Sequence, residues 1–143
     1  MVDPKTLEAL AQLPLGELLR RTAARVPDKP ALLSGDRQLT WAELDAEVDR
    51  VAGLLQAVGV GAGDGVGFTI NKRPEVVTGF LACARVGAVM APVNFKLHPD
   101  HIRDQFTTAG LSAVFVEKAY DGLLKQLLPH LPDPNKIIYV AGP

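Results

Sequence analysis

Four short apolar runs, Val66–Ile70, Ala88–Val93, Ala113–Val116 and Ile137–Val140, alternate with stretches whose apolar residues recur at helical spacing. That alternation restricts the chain to an α/β layer, because strands joined through helices of ten or so residues are crossover units and so run mainly parallel. A sandwich or a bundle is excluded. Pro74 opens a helix carrying Val77, Phe80, Leu81 and Ala84, and Gly87 stops it. Pro99 opens a second helix with Ile102, Phe106 and Ala109 inward and Gly110 at its end. Leu123, Leu124, Leu127 and Leu128 mark a third, which Pro129 stops.

The first sixty residues follow a different pattern. Leu15, Leu18, Leu19, Thr22, Ala23 and Val26 fall on one face of a helix that Pro27 and Pro30 end. Ala31–Ser34 and Arg37–Leu39 flank Gly35-Asp36 as a small hairpin, which needs something to pack on. Thr40-Trp41-Ala42-Glu43 is a capping box, and Leu44, Val48, Val51, Leu55 and Val58 give the helix from Trp41 to Val58 one apolar stripe. Glu43, Glu47, Asp49 and Arg50 lie on its other faces, where carboxylates serve as solvated surface rather than as an acid/base pair. Gly59 is the expected stop.

Length and charge narrow the function. A chain of 143 residues, 48% hydrophobic, is long enough for one domain with a real core, which excludes disorder. With 15 Lys and Arg against 16 Asp and Glu and no long run of one sign, it lacks the electrostatic footprint of a nucleic-acid partner. No apolar stretch approaches the roughly 20 residues of a membrane span, and no targeting segment is visible at the start. The single Cys83 has no partner for an internal disulfide, which fits a reducing, cytoplasmic setting.

Local chemical signals do not assemble into a catalytic constellation. The glycines from Gly59 to Gly67 complete no G-x-G-x-x-G and precede a strand, where a dinucleotide fingerprint follows one; they form a turn. His98 and His101 are three residues apart at a helix start, but a metal site needs three or four ligands, and only Asp100 and Asp104 lie near. His130 stands in a loop without a partner, and Cys83 sits among small apolar residues as filler. P-loop, G-x-S-x-G and H-E-x-x-H motifs are absent. No catalytic and no metal-ligating residue is assigned.

The order of the segments is more specific than any one of them. Pro27-Asp28-Lys29-Pro30-Ala31-Leu32, Leu39-Thr40-Trp41-Ala42-Glu43-Leu44, Gly63-Asp64 before a strand, Asn71 with Pro74-Glu75, and Ala84-Arg85-Val86-Gly87-Ala88-Val89 running into Pro92-Val93-Asn94 succeed one another. From about Leu15 to Val140 the chain resembles the N-terminal portion of the adenylate-forming superfamily, closest to acyl- and aryl-CoA synthetases. The resemblance implies an incomplete N-terminal subdomain, residues 1–143, of a ligase. Such a ligase activates a carboxylic acid with ATP and Mg2+ to an acyl-adenylate, then transfers the acyl group to CoA.

The family's Ser/Thr/Gly-rich phosphate loop, aromatic motif, ribose-binding aspartate and mobile-domain lysine all fall beyond Pro143, so the resemblance implies a chain inactive by itself and binding no cofactor tightly. Its partners are then the rest of the ligase and a small carboxylate, with self-association through exposed apolar surface. Within the chain, Asn94-Phe95-Lys96-Leu97 follows a strand's carboxyl end, where α/β ligands bind. Lys96 matches a basic residue that approaches CoA phosphates in several members. Two departures are Gly65 after the Gly-Asp turn, where a basic residue is common, and Ile70-Asn71-Lys72 in place of Pro-Asn-Ser. Lys72 and Arg73 add positive charge near a strand terminus. Two other readings are an adenylation domain serving a carrier protein and a non-catalytic module that binds a partner along its last strand.

Overall fold

A computed structural model describes residues 13–70, 73–127 and 136–140, with Asp3 and Glu8. The elements are α1 (Leu15–Arg25), β1 (Pro30–Ser34), β2 (Arg37–Thr40), α2 (Trp41–Ala57), β3 (Gly65–Thr69), α3 (Pro74–Val86), β4 (Val89–Pro92), α4 (Pro99–Thr108), β5 (Leu111–Glu117), α5 (Asp121–Leu127) and β6 (Ile137–Val140). A single 3-10 turn, Lys118–Tyr120, joins β5 to α5. The parallel sheet has the order β4-β3-β5-β6, and β1 and β2 form a separate antiparallel hairpin.

Alternation along the central strands divides the core. Val66 and Phe68 of β3 with Ala113 and Phe115 of β5 face α1, α2 and α3, whereas Val114 and Val116 face Ile102 and Phe106 of α4. Helices therefore cover both faces, as a parallel sheet requires. Phe68 stacks on Phe115 with ring centroids 4.6 Å apart, which fixes β3 against β5 on the three-helix side. Glycines let the backbones close up. A Cβ on Gly67 would stand 2.8 Å from a Leu111 methyl, and one on Gly79 of α3 would overlap the Phe68 ring.

That closeness corrects the expected face of α3. Thr78, Gly79, Ala82 and Cys83 are the buried residues, while Val77 and Phe80 stay 36% and 45% exposed. Small side chains win because the helix axis lies too near Phe68 to admit large ones. Ala109, expected inward, is exposed, since α4 ends at Thr108 and the chain turns at Gly110 with φ +55. Ile102 and Phe106 are inward as expected.

Of the α2 carboxylates, Glu43 and Asp49 stay at the exposed surface as expected, and Glu47 is less solvated than its position implied. Glu43 completes the capping box with Thr40. Glu47, with a side chain only 14% exposed, pairs with Arg37 at 2.8 Å, and Asp49 pairs with Arg85 at 2.6 Å. The end of the third predicted helix, Leu128 and Pro129, and also His130, lie outside the described residues.

Candidate functional site

The connection after β3 leads through α3 to β4 on one side, and the connection after β4 leads through α4 to β5 on the other. The sheet order thus reverses between β3 and β5, and the crevice outside the carboxyl ends of such strands is where open α/β sheets bind ligands. At that place a small cavity of about 80 Å³ is lined by Thr69 at the end of β3 and Ile70 beyond it, Val93–Lys96 after β4 and Tyr120 after β5. Thr69 is buried and donates its hydroxyl to the Phe115 carbonyl at 2.9 Å, which closes the floor between the two strands.

The loop after β4 is held at three points. The Val93 N–H donates to the Phe68 carbonyl at 2.9 Å and the Leu97 N–H to the Asn94 carbonyl at 3.3 Å. The side-chain oxygen of Asn94 accepts from the Lys96 N–H at 3.0 Å, so the side chain reproduces a backbone turn. Phe95 is buried, 5.3 Å from the Tyr120 ring and 6.4 Å edge-on from Phe106. Alternation then turns Lys96 outward, and it is exposed at the mouth of the crevice.

Arg73 and Arg103 are engaged elsewhere. Arg73 pairs with Glu75 at 3.2 Å, and Glu75 also holds Arg37, so this arginine belongs to an ion-pair chain at the start of α3. Arg103 pairs with Asp100 at 3.0 Å. Among the described residues Lys96 makes no ion pair. Asn71 and Lys72 lie outside the described residues. His98 accepts from the Asp100 N–H at 3.4 Å as the cap of α4, and the His98 and His101 rings stand 6.4 Å apart. No group of three or more His, Cys, Asp or Glu side chains among the described residues is arranged to hold a metal. The structure brings neither histidine into the crevice lining, which Lys96 and Asn94 share.

At the opposite end of the sheet the glycine stretch is a structural turn. Gly59 and Gly63 take φ +78 and +85. Asp64 accepts from the Gly61 N–H at 2.8 Å and from the Ser112 hydroxyl at 2.9 Å. Those two donors, the Gly61 amide foremost, hold its carboxyl below the usual carboxylate value of 3.8. Cys83 is 1% exposed and burial pushes its thiol up to about 11, so it stays neutral and unreactive in the fold.

Thr69 and Tyr120 were not singled out in the sequence. A threonine at the last position of an apolar strand was the available signal for the first. Tyr120 follows a strand end by three residues in a segment with no recognisable pattern.

A family model described as AMP-binding enzyme matches residues 19–142, and the chain belongs to that family. Among curated relatives, the 3-hydroxybenzoate–CoA ligase of Aromatoleum sp. (strain CIB) is 32% identical over 121 residues, 85% of this chain and 23% of that protein. A medium/long-chain-fatty-acid–CoA/3-oxocholest-4-en-26-oate–CoA ligase of Mycobacterium marinum is 33% identical over 128 residues, 90% of this chain and again 23% of the relative. A solved structure from Rhodopseudomonas palustris, assigned as a long-chain-fatty-acid CoA ligase, superposes with a TM-score of 0.84 at 29% identity, covering 92% of this chain and 34% of that one. The chain thus spans less than a quarter of the curated relatives' length. The expected α/β fold with its parallel sheet and small hairpin is borne out, and so is the resemblance to the adenylate-forming ligases. No helix among the described residues is long and apolar enough to cross a membrane.

Proposed function

We propose that residues 1–143 form the opening part of the large N-terminal domain of an acid–CoA ligase, one that uses ATP, Mg2+ and CoA, and that Lys96 contacts a phosphate of CoA. The observation that carries the reading of Lys96 is its setting: an exposed cation without an ion pair, on a pinned turn at the reversal point of the sheet. A phosphate needs a cation whose charge is not already neutralised and whose position is set before binding. Lys96 meets both conditions. The acid is an aryl or fatty carboxylate, as the names of the relatives suggest, and the protein is cytoplasmic.

The chain by itself activates no acid, because the floor and wall of a crevice do not supply the donors that stabilise charge at a reacting phosphate. The rest of the ligase is its main partner. An apolar groove between the hairpin and α3, lined by Leu32, Leu33, Ile70, Pro74, Val76 and Val77, supports self-association of the isolated chain, with Leu33 69% exposed. Light scattering at micromolar concentration then gives a mass above 15.3 kDa; a stable monomer contradicts this part.

The test of the site uses the gene product that contains this segment. With Lys96→Ala, the KM for CoA rises about tenfold, the share of one charge-assisted hydrogen bond, while acid-dependent exchange between ATP and pyrophosphate is unchanged. An unchanged KM for CoA overturns the assignment.

A further inference from the structure

We infer that Asn94 is the positioning residue for Lys96, an inference that rests on the phosphate contact proposed above. Lysine carries its charge on a flexible four-carbon stem, so its useful precision depends on how well its own backbone is fixed. Three features fix it. The Asn94 side-chain oxygen takes the Lys96 N–H at 3.0 Å, and the Asn94 carbonyl takes the Leu97 N–H at 3.3 Å, so one residue governs the turn on both sides of the lysine. Between them Phe95 is buried against Tyr120 of the turn after β5 and Phe106 of α4, which ties the loop to the Tyr120 wall of the crevice and to the helix behind it. Asn94 itself is exposed and fills no core space. Its side chain therefore contributes through that accepted hydrogen bond, and a residue with an acceptor at the same place substitutes for it. Without the acceptor the Lys96 amide turns to solvent and the lysine samples positions away from the crevice mouth.

The test titrates the isotopically labelled gene product that contains this segment with CoA, following the amide resonances of residues 94–97 in wild type, Asn94→Ala, Asn94→Ser and Lys96→Ala. The expected result is an affinity about fivefold weaker in Asn94→Ala, within about twofold of wild type in Asn94→Ser, whose hydroxyl accepts the same N–H, and weakest in Lys96→Ala. The Lys96 amide exchanges with solvent more slowly in wild type and Asn94→Ser than in Asn94→Ala. A parallel arm with ATP separates a contact peculiar to CoA from one made by any nucleotide phosphate. If Lys96→Ala loses affinity while Asn94→Ala keeps it, the positioning role is overturned and the phosphate contact stands. If wild type shows no saturable change, or Lys96→Ala binds as wild type does, the phosphate contact fails and the inference with it. Should Asn94→Ala not fold, an unprotected Lys96 amide in wild type overturns the role, and a protected one together with tight binding by Asn94→Ser supports it.

Discussion

Arg85 binds three helices together. From α3 its guanidinium reaches Asp45 and Asp49 of α2 and the Gly16 carbonyl of α1, with its side chain only 9% exposed. Gly16 permits the approach, since a Cβ there would stand 2.9 Å from the Arg85 Cα. Removing one partner of a buried pair leaves the other charge uncompensated, whereas Asp49, 54% exposed, keeps its water. Arg85→Ala is therefore expected to cost about 3 kcal/mol, the low end for a buried pair, seen as a lower urea midpoint at constant slope. A loss below about 0.5 kcal/mol, the range of an ordinary surface change, contradicts the hub. None of this was legible in the sequence. Arg85 stood there within a quoted match, and Asp45 was not singled out. A buried cation is signalled only by carboxylates on a different element, and their pairing is a fact of tertiary structure.

Elements with strong punctuation were legible, and faces set by a neighbour were not. Pro74 and Gly87 bound α3 as expected, and Thr40 with Glu43 starts α2, because caps and breakers act within a few residues of themselves. The burial of α3 obeys a different rule. A helix laid on an aromatic ring turns its smallest residues inward, so Gly79 and Ala82 displaced the more apolar Val77 and Phe80. Gly79→Ala improves helix propensity yet places a methyl in the Phe68 ring, so overpacking decides the sign. The expected loss is about 2 kcal/mol, measured by thermal unfolding. A stabilised variant contradicts the packing of α3 on β3. The same contrast holds at the crevice: Asn94-Phe95-Lys96 was legible from its place after a strand, but the floor at Thr69 and the wall at Tyr120 come from elements that only the sheet order brings together.

For the molecule as a whole, the two ends of the sheet divide the labour. The turn around Asp64 binds the amino ends of β3 and β5 with hydrogen bonds, and the carboxyl ends open on a crevice whose lining presents one lysine without an ion pair among the described residues. Such a division suits a segment that contributes a wall to a larger active site, in a family whose curated relatives are more than four times as long as the matched region. Formation of AMP separates this account from its rivals most directly. The purified chain and the longer gene product that contains it are each given ATP, Mg2+, CoA and a panel of aryl and fatty acids. The account predicts acid-dependent AMP from the longer product and none above the blank from residues 1–143; AMP made by the short chain unaided, or by neither protein with any acid, contradicts it.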